Sequence, residues 1–263
     1  MQWNTRIIEE LGYPIIDAHA HSYIMRDTPK TGPKDYDDYA AELMKHGIDM
    51  FCGTHIIRGD GTDPEIVEKE NAEEWRWREY FGERYYPGAS IHPNWPESSI
   101  AAVEEFHAKG FRLVGEIAWY TSGYSAYATP ELERILEVVR DRDMILNIHP
   151  SKPEDMDKLA SDFPTLTIMI AHPAGVQGGC DVAYSLAEKH PNIIFDISGS
   201  GLIRWHMLRW GIDRLGPERY LFGTDYPINN PGMCVYGTMC EPLSKQELKA
   251  VFRDNFLNLF GGK

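Results

Sequence analysis

The sequence predicts an α/β fold: a distorted (β/α)8 barrel of the TIM type, occupying residues 1–263 as a single domain. Three observations predict it. Short β-branched, apolar runs recur eight times, each followed by a helical pattern. Several runs, such as MILNI and LTIMIA, are apolar almost throughout, as strands covered by helices on both faces must be. Eight such units in a chain of 263 residues match the ~250 residues of a TIM barrel.

The predicted strands are Ile15–His21, Ile48–His55, Tyr86–His92, Arg112–Trp119, Met144–His149, Thr165–His172, Ile193–Ser198 and Tyr220–Asp225. The helices between them carry their own punctuation. Asp63-Pro64-Glu65 and Thr129-Pro130-Glu131 each offer an N-cap, a proline at the first helical position and an early acid. Leu132, Ile135, Leu136 and Val139 then fall on one helical stripe that faces the sheet. The helix over 98–109 ends at Gly110, a left-handed stop. Ser244-Lys245-Gln246-Glu247 reads as a capping box opening the last helix, which ends near Gly261. A doubly wound open sheet is the rival fold, but it puts a glycine-rich phosphate loop after an early strand, and none follows Ile15–His21.

Composition narrows the function. Lys and Arg number 26 against 40 Asp and Glu, a formal charge of −14, which repels nucleic acid and anionic membranes. No stretch approaches the roughly 20 apolar residues of a membrane span, and MQWNTRIIEELG lacks the basic and apolar regions of a signal peptide. Cys52, Cys180, Cys234 and Cys240 show no CxxC and no framework spacing, as expected of incidental thiols in a reduced, cytoplasmic protein. The expected partner is a small-molecule substrate; a homo-oligomer is left open.

TIM barrels do their chemistry at the C-terminal ends of the strands. Here those ends carry residues that a strand core excludes. They are Asp17-Ala18-His19-Ala20-His21, Gly115-Glu116-Ile117, Asn147-Ile148-His149-Pro150, Ala171-His172-Pro173 and Gly223-Thr224-Asp225-Tyr226-Pro227. His19 and His21 lie two apart on a strand and so share a face. Any one of these residues alone is more often structural than a ligand. Four histidines and two acids at five strand ends together point to a divalent cation, since imidazole with carboxylate suits Zn, Mn, Fe or Ni and disfavours Ca or Mg.

These motifs, with His172-Pro173-Ala174-Gly175 and Phe222-Gly223-Thr224-Asp225-Tyr226-Pro227, resemble the amidohydrolase superfamily. The nearest resemblance is to its amidohydrolase-2 type branch of metal-dependent hydrolases and decarboxylases, and it runs from residue 17 to residue 227. The resemblance implies one or two divalent ions, zinc first, held by His19, His21, His149, His172 and Asp225. In a two-ion site His172 is a ligand; in a one-ion site it orients substrate or water. Many two-ion members bridge their ions with a carboxylated lysine on strand four. This chain has Glu116 there, which either bridges in the same way or stands behind the ligands as an ion-pairing acid. Many members also add a small β-sandwich built from both termini, for which this chain has no sequence.

The leading expectation is hydrolysis of a small ester, lactone or amide-type substrate by metal-activated water, with Asp225 as general base and His172 assisting. The alternative is decarboxylation of a hydroxy-aromatic or keto acid by the same residues, and a third reading is a non-catalytic metal-binding barrel. Candidate substrate contacts at other strand ends are His55, Arg58, His92, Trp119 and Arg204, an arginine being suited to a substrate carboxylate. His46, His107 and His190 are expected to be exposed.

Overall fold

The computed structural model of the protein describes residues 6–24, 32–58, 61–199 and 204–261. All eight predicted strands are present: β1 Ile15–Ala20, β2 Ile48–Gly53, β3 Tyr85–Ala89, β4 Leu113–Ile117, β5 Ile145–Ile148, β6 Thr167–Ile170, β7 Ile193–Asp196 and β8 Tyr220–Leu221. They pair in parallel and in chain order. The barrel closes where Ala18 N donates to Phe222 O (2.8 Å) and His21 N to Tyr226 O (2.7 Å). Every strand starts within two residues of its expected place and stops one to four residues earlier than expected. Of the polar residues read as strand ends, His21, His149, His172 and Asp225 lie just beyond the sheet, whereas His19 and Glu116 are still within β1 and β4.

Twelve α-helical segments are described: α1 Arg6–Leu11, α2 Tyr36–Lys45, α3 Ile66–Phe81, α4 Pro96–Ala108, α5 Trp119–Ser122, α6 Pro130–Asp141, α7 Pro153–Asp162, α8 Cys180–Lys189, α9 Met207–Leu215, α10 Pro231–Met239, α11 Lys245–Lys249 and α12 Asn255–Phe260. Thr129 caps α6 by accepting from Leu132 N, and Leu132, Ile135, Leu136 and Val139 are buried. Gly110 lies beyond α4 at φ +88°. The Ser244–Glu247 capping box opens α11, and a π-helical turn, Ala250–Asp254, joins it to α12. The Asp63 cap is a correction. α3 begins at Ile66, because the Asp63 carboxylate instead accepts Glu65 N (3.0 Å) and makes a local turn that competes with capping.

One apolar layer fills the space between strands and helices. A second, including Ile16, Leu113, Ile145, Met169, Ile194 and Leu221, fills the barrel interior near the strand starts, where Phe256 and Phe260 of α12 pack against it. The opposite end is thereby left to polar residues. Two further expectations change. His190 is buried, with Nε2 2.7 Å from Asp157 Oδ1, and His46 is half-buried against Glu42 at 3.1 Å; only His107 is exposed. The four cysteines are free, with Cys52 and Cys180 buried. Among the described residues no helix is long and apolar enough to cross a membrane.

α3 also carries a carboxyl group, Glu74, into the apolar layer. It accepts from Ser22 Oγ (2.5 Å), His55 N (2.6 Å) and Tyr85 OH, and burial pushes its pKa up to about 8. The native state thus keeps a proton that the unfolded chain releases above about pH 4.5, so this group's contribution to stability declines as pH rises towards 8. Urea unfolding from pH 6 to pH 9 should show falling stability, and Glu74→Gln should flatten the fall. An unaltered slope in the variant counts against this assignment.

Candidate metal centre

Glu116 stands at the middle of the barrel mouth, with each carboxylate oxygen facing a different pair of imidazoles. Oε2 lies 3.6 Å from His19 Nε2 and 3.7 Å from His21 Nε2. Oε1 lies 2.8 Å from His149 Nδ1 and 3.6 Å from His172 Nε2. Asp225 Oδ1 is 2.8 Å from His21 Nε2 and 3.9 Å from His19 Nε2. Three overlapping triads can each offer ligand atoms to one ion: His19, His21 and Glu116; Glu116, His149 and His172; His19, His172 and Asp225. Around an ion with bonds of about 2.1 Å, ligand atoms lie roughly 3–3.5 Å apart, so these spacings need little adjustment. All six residues expected at the centre are brought together.

Simple strand alternation does not bring them there. Ile16 and Ala18 belong to the interior layer, which by a period of two turns His19 away from it. The pairing of β1 with β2 slips between Asp17 and Ala20 and turns His19 inward. On β4, interior Leu113 would send Glu116 outward, but Gly115 at φ +88° and a register shift between Val114 and Ile117 break that alternation. His172 and Asp225 are in left-handed conformations, φ 49° and 63°, uncommon for residues with a side chain and associated with functional sites. Gly115 has no space for a side chain: a Cβ would lie 2.2 Å from Asn147 O. Gly115→Ala should therefore destabilise the fold by about 3 kcal/mol or more and displace Glu116. Denaturant midpoint and bound metal are the readouts, and a variant matching wild type in both would contradict the prediction.

Behind these residues stands a layer that the sequence reading missed. Asp196, at the end of β7, is fully buried and holds His19 Nδ1 and Asn147 Nδ2, each at 2.9 Å from Oδ2. Ser198 bonds Asp196 Oδ1 through its hydroxyl and through N (3.1 Å), and its Oγ lies 2.9 Å from His172 Nδ1. Asn229 Nδ2 donates to Asp225 Oδ2 at 2.7 Å. Asp17 ties the first strand to the last by accepting Thr224 N (3.0 Å) and Thr224 Oγ1 (2.5 Å). A buried aspartate two residues before a serine at a strand end was the available signal.

The chemistry of this donor set fits a divalent ion. His19 Nε2 is buried with no hydrogen-bond partner, an expensive state unless a cation takes its lone pair. Burial opposes charge on His19, yet Asp196 and Glu116 outweigh it and hold its pKa well above the usual imidazole value. Burial likewise opposes charge on Glu116, and His19 with His149 holds its pKa well below the carboxylate range. The pocket thus draws in positive charge, which an ion supplies in place of protons.

The expected substrate contacts divide. Tyr23 stacks between His21 (5.9 Å) and His55 (6.1 Å), and the exposed Arg58 guanidinium lies 5.6 Å from its ring centre. His55 and Arg58 therefore stand beside the centre. Arg204 is exposed just before α9. His92 is fully buried and not offered to substrate: Nε2 donates to Ser122 O (2.8 Å) and Nδ1 accepts Asn94 N (3.1 Å), so it ties loops together. Trp119 is half-buried and donates to Pro150 O (3.1 Å), while its neighbour Tyr120, which also follows the fourth strand, is exposed with its ring 4.7 Å from that of His149.

The family model described as amidohydrolase matches residues 16–262. No curated protein matches the sequence. Among solved structures, the chain is similar to a 2,6-dihydroxybenzoate decarboxylase complexed with 2,6-dihydroxybenzoate, with TM-score 0.74, 15% identity, and 95% of this chain and 99% of that one covered. It is similar to a 5-carboxyvanillate decarboxylase from Novosphingobium aromaticivorans, complexed with manganese and 4-hydroxy-3-methoxy-5-nitrobenzoic acid (TM-score 0.75, 14% identity, 96% and 97%). A third is a dihydroxybenzoic acid decarboxylase from a Polaromonas species with bound manganese and 2-nitroresorcinol (TM-score 0.69, 15% identity, 94% and 97%). At such identities the likeness establishes the fold.

Proposed function

The chain belongs to the amidohydrolase family as a metal-dependent enzyme, and from that premise we propose that it decarboxylates a small hydroxy-aromatic acid. The observation that carries the metal dependence is the convergence of four imidazoles and two carboxylates with His19 Nε2 left bare. Decarboxylation is preferred to hydrolysis because the chain's fold spans nearly the full length of three decarboxylases that act on such acids or bind their analogues. His19, His21, His149, Asp225 and, with them, Glu116 and His172 would hold one or two divalent ions. Manganese, bound by two of those proteins, suits these ligands as zinc does.

A bound ion supplies Lewis acidity, drawing charge from the substrate's carboxylate and neighbouring hydroxyl oxygens. The residues do the rest. Arg58 meets the negative charge of the incoming acid, and Tyr23 holds the Arg58 guanidinium against its ring. Asp225, fixed by Asn229 at Oδ2, takes the proton of the substrate's neighbouring hydroxyl group and hands it to the ring carbon as its bond to the carboxyl carbon breaks. The bonding electrons stay with the ring, and carbon dioxide leaves.

Hydrolysis of an ester or lactone is the second reading, favoured by the way the two oxygens of Glu116 each face their own imidazole pair, an arrangement suited to two ions. The manganese- or zinc-loaded protein should release carbon dioxide from a panel of hydroxybenzoates and stay inactive on lactones and aryl esters. Acid release from a lactone, without carbon dioxide from any acid in the panel, would replace decarboxylation by hydrolysis.

A further inference from the structure

We infer that Asp196 and Ser198 act as one positioning unit that fixes the tautomers of His19 and His172, so that both imidazoles turn a bare Nε2 into the centre. The inference rests on the metal-centre reading above and is indifferent to which reaction the centre performs.

Asp196 is fully buried and receives four contacts. Asn147 Nδ2 and Ser198 N can only donate, and they take one position on each oxygen. His19 Nδ1 takes the second position on Oδ2 at 2.9 Å, and the Ser198 hydroxyl takes the second on Oδ1. A carboxylate filled in this way has no position left for a proton of its own. The proton between Asp196 and His19 therefore sits on His19 Nδ1, which makes Nε2, without any hydrogen-bond partner, the nitrogen for an ion to take in place of a proton.

The second branch follows from the first. Ser198 has one hydroxyl proton, and it is committed to Asp196 Oδ1. Towards His172 Nδ1, at 2.9 Å, Ser198 Oγ can then only accept. The His172 proton must sit on Nδ1, and Nε2 faces Glu116 Oε1 bare, at 3.6 Å, too far for a hydrogen bond. Gly199 lets the chain lie flat against this imidazole, since a Cβ there would come within 2.2 Å of His172 Nδ1. A single carboxylate thus orients two imidazoles, one directly and one through a hydroxyl. The consequence for His172 is specific: its Nε2 binds an ion or accepts a proton, and does not begin a cycle as a proton donor.

The test uses histidine nitrogen NMR of the zinc-loaded full chain, zinc being diamagnetic, together with titration of zinc and of manganese. The expected spectrum has slowly exchanging protons on Nδ1 of both His19 and His172 and none on either Nε2. Ser198→Ala should disturb the His172 Nδ1 proton, leave that of His19 in place and weaken metal binding 10- to 100-fold. Ser198→Thr, which keeps the hydroxyl, should stay within a few-fold of wild type, and Asp196→Asn should weaken binding at least as much as Ser198→Ala. A proton on His172 Nε2 in the wild-type protein overturns the inference, and so does wild-type metal affinity in a folded Ser198→Ala variant. If neither ion binds the wild type, the metal-centre reading falls, and the His172 spectrum of the metal-free protein still decides its tautomer.

Discussion

Glu116→Gln should lower kcat/KM by at least about 1,000-fold and reduce the metal held per chain. The carboxylate is buried among four imidazoles, with both oxygens engaged. The amide removes the negative charge that offsets bound cations. It also replaces one oxygen by an NH2 group, which has no lone pair to offer an ion. That group must face either His19 and His21 or His149 and His172. If Glu116 joins two ions, elemental analysis should find two per wild-type chain and no more than one in the variant. One ion in both proteins, with kcat/KM within tenfold, would make Glu116 an ion-pairing acid behind a one-ion centre.

Asp225→Asn should cost between about 100-fold and 10,000-fold in kcat while leaving the fold intact. Asparagine tolerates the left-handed conformation at φ 63° as aspartate does, so the backbone has no reason to move. Asn229 can still bond the amide oxygen of the new side chain. What disappears is the group that takes or gives a proton, along with one anionic ligand. The expected signature is a fall in kcat exceeding any rise in KM, with residual metal bound through His19 and His21. A kcat within fivefold of wild type in a metal-loaded variant would move the proton transfer to another residue.

Much of this molecule was legible in its sequence, for a physical reason. Strands covered on both faces must be apolar throughout, so a histidine or an acid at the end of such a run is conspicuous, and six such residues do meet. Strand starts were readable because a helix must end and a loop must turn before each. Strand ends were not, because four of the polar residues that mark the site, His21, His149, His172 and Asp225, have already left the ladder. Side-chain direction was also hidden: His19, Glu116 and His172 oppose simple alternation and depend on a slipped register, a glycine at φ +88° and a left-handed turn. Asp196 escaped notice because a lone acid closing an apolar run looks like a loop cap until the imidazole it holds, 177 positions away, is beside it. His92 misled for the opposite reason. Ile91-His92-Pro93 echoes Ile148-His149-Pro150, yet its two nitrogens serve backbone groups.

The seam between β1 and β8 also bears on the order in which the protein is made. His19 O accepts from both Thr224 N (3.1 Å) and Asp225 N (2.8 Å), so the first strand of the barrel is completed by its last, which is synthesised about 200 residues later. A nascent chain that stops short of residue 225 lacks both this seam and the acid at the centre. Histidines 19, 21, 149 and 172 are all synthesised before anything can close the ring around them. A centre that includes Asp225 is therefore complete only once β8 lies against β1.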